Sequence, residues 1–158
     1  MTKQTHHGRC HCGNIDYDFL TSTPATELVV RQCGCSYCRK QPARHVADPA
    51  GELHITYHDD RQVTRYRFGQ KTADFIFCAR CGVTPFVLCE TDGQLYGILN
   101  ATPLTRRPGY RNHKGCMILT AKAAATGWPA ARKTGSARSS STLHNKKADP
   151  KACFSISV

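Results

Sequence analysis

Over its first hundred residues this sequence predicts a small, mainly β fold built from antiparallel sheets. Three observations lead there. Strand-length runs of β-branched and aromatic residues recur at short intervals, and turn-forming clusters separate them. Seven of the ten cysteines fall in three tight groups, Cys10-x-Cys12, Cys33-x-Cys35-x-x-Cys38 and Cys78-x-x-Cys81, spaced as in metal knuckles.

Taken in order, Ile15–Leu20 alternates around Tyr17 and Phe19, as a half-buried strand does. Glu27–Arg31 is a short β-branched run. Leu53–Tyr57, Val63–Phe68, Asp74–Phe77, Pro85–Leu88 and Leu95–Asn100 share strand length and composition. Between them stand Asp48-Pro49-Ala50-Gly51, Asp59-Asp60, Gly69-Gln70-Lys71 and Asp92-Gly93, each a turn signal. A helical turn is expected between Cys38 and Arg44, limited by Pro42. After Asn100 the strand rhythm stops. Ala121–Ala125 reads as the start of a helix that Gly127 and Pro129 end, and Ser136–Thr142 has linker composition.

The chain of 158 residues suffices for one domain with a real core. Its first ten residues are polar, unlike an export signal, and no apolar run approaches the roughly 20 residues of a membrane span. A soluble, cytoplasmic protein is therefore expected. In a reducing compartment, closely spaced cysteines favour metal over disulfides.

The net charge of +11 suggests a nucleic-acid binder, but its distribution argues otherwise. Residues 1–100 hold 11 Lys and Arg against 10 acids, a net of +1. Residues 101–158 hold 11 against the single acid Asp149, a net of +10. Two parts are expected, a zinc-binding domain over 5–103 and an irregular basic tail over 104–158, disordered or a frame-changed ending.

Cys-x-Cys and Cys-x-x-Cys turns bring two sulfurs close enough to chelate one ion. Gly13 and Gly82 follow the first and last groups and allow the tight turn that aims amides at sulfur. Seven thiolates suffice for two zinc ions, one with four ligands and one with three. Spacing alone does not say which group pairs with which. His6, His7, His11, His45, His54 and His58 are weaker candidates, read as surface or packed residues. Cys89 reads as a small core residue.

The chain resembles the glutathione-dependent formaldehyde-activating enzymes, a family that includes the centromere protein V domain. The resemblance rests on Gly8-Arg9-Cys10-His11-Cys12-Gly13 with Tyr17 following, and on Cys33-Gly34-Cys35-Ser36-Tyr37-Cys38-Arg39-Lys40. It continues through Tyr66-Arg67-Phe68-Gly69 and Phe77-Cys78-Ala79-Arg80-Cys81-Gly82, spanning about residues 8–100. It implies a β-tent of packed antiparallel sheets around zinc knuckles. It also implies the metal pairing. Cys10, Cys12, Cys78 and Cys81 hold a structural zinc, while Cys33, Cys35 and Cys38 hold a second, open one. The implied activity is that of a carbon–sulfur lyase acting on S-hydroxymethylglutathione, the adduct of glutathione and formaldehyde, or on a related small thiol. Arg39 and Lys40 would contact a glutathione carboxylate or lie on ordinary surface. Gln41-Pro42-Ala43-Arg44 departs from the small-residue stretch that follows this cysteine group in relatives, which bears on substrate choice. The alternative reading is a non-catalytic zinc-binding module with a basic tail that contacts nucleic acid.

The tail departs from the family's ending, and two readings of it stand. One is a basic arm that binds nucleic acid or another anionic surface. The other is a one-base change of reading frame near residues 101–104. In the shifted frame Thr126–Ala131 is compatible with D-R-L-A-R-R, Lys133–Ala137 with N-W-I-G, and Met117–Lys122 with D-F-D-G-E. Leu104–Gly109 is compatible with V-D-A-P-P-G, and together these resemble an acidic, Trp-containing ending. The encoding DNA decides between them. The frame change requires the shifted frame to stay open through this stretch, and a stop codon there rules it out.

Overall fold

Alternation along Ile15–Thr21 sets the inner face of the molecule. Ile15, Tyr17, Phe19 and Thr21 are buried while the residues between them are half-exposed, the period-two pattern of a strand with one face in a core. Glu52–Tyr57 repeats it with Leu53, Ile55 and Tyr57. The computed structural model describes residues 2–41, 43–102, 111–114 and 121–126. Among them are eleven strands: β1 Gln4–Arg9, β2 Ile15–Thr21, β3 Val29–Gln32, β4 His45–Val46, β5 Glu52–Tyr57, β6 Val63–Tyr66, β7 Asp74–Cys78, β8 Phe86–Thr91, β9 Gln94–Asn100, β10 Arg111–Lys114 and β11 Ala121–Thr126. A 3-10 turn at Asp60–Gln62 precedes β6. The fold is mainly antiparallel β, with almost no helix, as the sequence predicts.

The strands run β1-β2-β5-β11-β9-β4-β3-β10, and an arm β8-β7-β6 branches from β9. β9 pairs with β8 along one edge. Along the other it pairs with β11 at Tyr96 and Gly97 and with β4 at Leu99 and Asn100. Only β10 with β3 and β11 with β5 pair in parallel. The β8–β9 hairpin closes through Asp92 and Gly93, both with positive φ (52° and 74°), as a two-residue loop requires.

Register sorts the apolar residues into two clusters. Ile76, Phe86 and Leu99 stand opposite one another across β7, β8 and β9 and face the inner residues of β2 and β5. Tyr17 meets Phe86 edge-on at 5.8 Å, a favoured aromatic geometry. Phe75, Val87 and Ile98, one residue out of phase, face the other way and pack with Cys35, Cys38, Ala47, Ala73 and Cys89. The β7–β8–β9 arm is thus apolar on both sides. Gly8 faces Tyr17 across the β1–β2 ladder, and a Cβ there would lie 2.2 Å from the Tyr17 ring. Only glycine lets that ring lie over the backbone.

Polar groups fix the corners. Asp48 accepts from the hydroxyls of Thr21 and Thr23 and from the Ala50 amide. Burial opposes its charge, but these donors hold its carboxyl below the ordinary range. Asn100 accepts from the amides of Arg44 and Thr102 and donates to the Thr84 carbonyl. Arg67 clasps Asp74 through two nitrogens.

Two readings of the tail meet the structure. Ala121–Thr126 is not a helix. It is β11, seated between β5 and β9, where flanking ladders outweigh alanine's local helix preference. Strand pairing also resumes after Asn100, in β10 and β11. The remainder of the tail, including the Ser136–Thr142 linker and most of the frame-shifted stretch, lies outside the described residues, as does Pro42.

His45 is a buried titratable group in this frame. It is 5% exposed and its Nδ1 has no hydrogen-bond partner. Burial pushes its pKa down to about 4 from 6.5. Between these values the folded protein binds fewer protons than the unfolded chain, so stability falls as pH drops from 6.5 towards 4. Urea unfolding at pH 7 and pH 5 should show His45→Leu losing less stability on acidification than the parent, by on the order of 2 kcal/mol. Equal losses would exclude this role for His45.

Candidate functional site

The first cysteine cluster forms where two strands end. After β1 the chain reverses through Cys10–Gly13. The Cys10 amide donates to the Ile15 carbonyl at 2.8 Å, and the Ile15 amide returns to Cys10 Sγ at 3.3 Å. β7 ends on Cys78, whose carbonyl accepts from Gly82 at 2.8 Å and whose amide donates to the Val83 carbonyl at 3.0 Å. Gly13 and Gly82 sit at φ of 77° and 72°, a left-handed turn that brings the next amide back over sulfur.

The two knuckles converge. The sulfurs of Cys10, Cys12, Cys78 and Cys81 all lie within 4.8 Å of one another. Cys12 is 3.7 Å from Cys10 and 3.5 Å from Cys78. Four sulfurs at about 2.3 Å around a tetrahedral ion stand about 3.8 Å apart, so donor type and spacing both fit a thiophilic ion. The protonation pattern points the same way. Burial raises the Cys10 thiol and pushes Cys78 up to about 12. At Cys81 burial also opposes ionisation, but hydrogen bonds from the backbone of Val83 and Cys12 hold it down at about 6. Such sulfurs compete for protons, and a central divalent cation replaces those protons.

The second cluster is set in the loop that leaves β3. Cys33, Cys35 and Cys38 bring their sulfurs within 4.8 Å of one another. Cys35 and Cys38 are buried and Cys33 is half-buried. The helical turn expected here begins earlier than read, with Arg39 donating to the Cys35 carbonyl at 3.0 Å and Lys40 to that of Tyr37 at 2.9 Å. The Cys38 amide donates to Cys35 Sγ at 3.4 Å. The side-chain hydrogen bond with Cys38 holds the Cys33 thiol down at about 5 against the effect of burial, while Cys38 itself is raised. Among the described residues no other His, Cys, Asp or Glu joins these three. Three sulfurs are one short of a tetrahedral set among the described residues.

Arg39 and Lys40 are exposed beside this cluster. His11 is exposed, and His54 and His58 are exposed partners of Glu52 and Asp16 at 3.3 and 2.7 Å. Cys89 is buried in the second apolar cluster, as the sequence reading expects. Sequence reasoning missed a group of rings around the second cluster. Tyr37, inside the Cys35-x-x-Cys38 turn, meets Phe75 at 4.5 Å, and Phe68 and Tyr66 at 5.8 and 5.4 Å. The only local signal was an aromatic residue between two ligand positions.

The model of the family described as glutathione-dependent formaldehyde-activating enzyme matches residues 5–113. Among solved structures, a crystal structure of a Rhodobacter sphaeroides protein is similar to this chain at 25% sequence identity. That similarity covers 63% of this chain and 87% of the other, with a TM-score of 0.48.

Elemental analysis of the purified chain should find one thiophilic ion per cluster. Cys35→Ser should remove one equivalent and leave the fold in place. Cys78→Ser should remove the other and lower stability by several kcal/mol, because metal binding and folding are coupled where a site joins strands distant in sequence. A single equivalent untouched by Cys35→Ser would show that the second cluster is no metal site.

Proposed function

The chain belongs to the glutathione-dependent formaldehyde-activating enzyme family, and from that premise we propose that it is a zinc-dependent carbon–sulfur lyase of the cytoplasm, acting on the glutathione–formaldehyde adduct or a related small thiol. The observation that carries this reading is the three-sulfur cluster of Cys33, Cys35 and Cys38. It is one ligand short of the closed set formed by Cys10, Cys12, Cys78 and Cys81.

Two zinc ions per chain suit the two donor sets. At the second cluster zinc would supply a Lewis-acidic centre that keeps an incoming thiol ionised at neutral pH. Three thiolates bring such a centre to a net charge of about −1, which suits a soft sulfur ligand better than activation of water. Cys35 and Cys38, buried against the β7–β8–β9 arm, hold the set rigidly, and the half-buried Cys33 lies on its solvent side. Arg39 and Lys40, exposed just beyond Cys38, are placed to meet a glutathione carboxylate by charge-assisted hydrogen bonds. In the synthetic direction the thiolate sulfur adds to the formaldehyde carbon. The carbonyl π pair moves to oxygen, which takes a proton, and S-hydroxymethylglutathione results. The lyase direction breaks the same carbon–sulfur bond and returns the proton.

Loss of free thiol from glutathione plus formaldehyde, followed against a no-enzyme control, tests the reading. The parent chain should exceed the spontaneous rate, and Cys35→Ser should fall at least about ten-fold towards it. A parent rate equal to the control excludes the activity.

A further inference from the structure

The rings around the second cluster form a continuous stack that runs from the core to solvent. Phe75 is 3% exposed on β7. Phe68 lies 5.2 Å from it, and Tyr66 lies 5.7 Å from Phe68 with the two planes 23° apart. Tyr37 touches all three from within the cysteine turn. Tyr66 ends the stack at 44% exposure, the one exposed large hydrophobic side chain among the described residues. Tyr37 and Phe68 pack against the same apolar cluster as Cys33, and Tyr37, inside the cysteine turn, links that cluster to Tyr66. Glutathione has no ring to place on it.

We infer that the ligand whose sulfur reaches Cys33, Cys35 and Cys38 carries a flat, unsaturated group, an aryl ring or conjugated system, that stacks on Tyr66. This rests on the thiol-binding reading above and narrows its substrate class. A planar group on an exposed ring gains offset-stacking energy that a puckered saturated ring of equal size does not, worth about three- to ten-fold in affinity.

Calorimetric titration of the zinc-loaded chain with benzyl mercaptan and with cyclohexylmethanethiol tests it. Benzyl mercaptan should bind about three- to ten-fold more tightly. Tyr66→Phe should keep that preference, and Tyr66→Ala should abolish it with zinc content unchanged. Equal affinities for the two thiols, or a preference that survives Tyr66→Ala, overturn this inference and leave thiol binding standing. If neither thiol binds, the thiol-binding reading itself falls, and this one with it.

Discussion

Four sulfurs drawn to one point are the constraint on which the rest of the molecule depends. Cys10 and Cys78 are fully buried, the first just after β1 and the second at the end of β7, two strands that do not pair with each other. Left to themselves, four ionised thiols at this spacing repel, and buried ones resist ionising at all. A divalent cation would turn that repulsion into attraction and tie β1 and β2 to β7 and β8 at one end of the apolar interior. Small β domains gain little stability from area alone, so such a clamp would carry much of the burden of closing the fold.

The clamp has a second effect, on where the other cysteines sit. Strand register commits one face of the β7–β8–β9 arm to the core against β2 and β5, and a metal at the four sulfurs would hold it there. The opposite face, with Phe75, Val87 and Ile98, is then a fixed apolar floor under Cys35 and Cys38. The three-sulfur set thus stands in a loop whose base is a sheet. A reactive centre needs such a base if its ligands are to stay in place when the fourth ligand exchanges.

Much of this was legible in the residues, and the limits have physical causes. β2 and β5 were readable because alternation reports a one-sided core directly. Phe86–Cys89, buried at every position, reads as a strand only because β-branched and aromatic residues dominate it. The cysteine groups announce metal through spacing, yet spacing is local, and convergence of the first group with the last depends on strand pairing between distant segments. β1 was missed because its residues are mostly polar and exposed. It is a strand because β2 offers it a ladder, not because of its own composition. β4 is too short to carry a pattern. The aromatic stack was invisible for the same reason as the pairing, since residues 37, 66, 68 and 75 meet only after β6 folds onto β7.

The place of β11 has a consequence for how the chain is made. Its partners β5 and β9 lie well before it in sequence, and it fills the gap between them. Until residues 121–126 have left the ribosome, β5 and part of β9 present unpaired backbone edges. Such edges invite pairing with another copy, and late, parallel closure prolongs their exposure. The vulnerable interval in the life of this fold is therefore during synthesis, when chaperones rather than zinc would have to guard it.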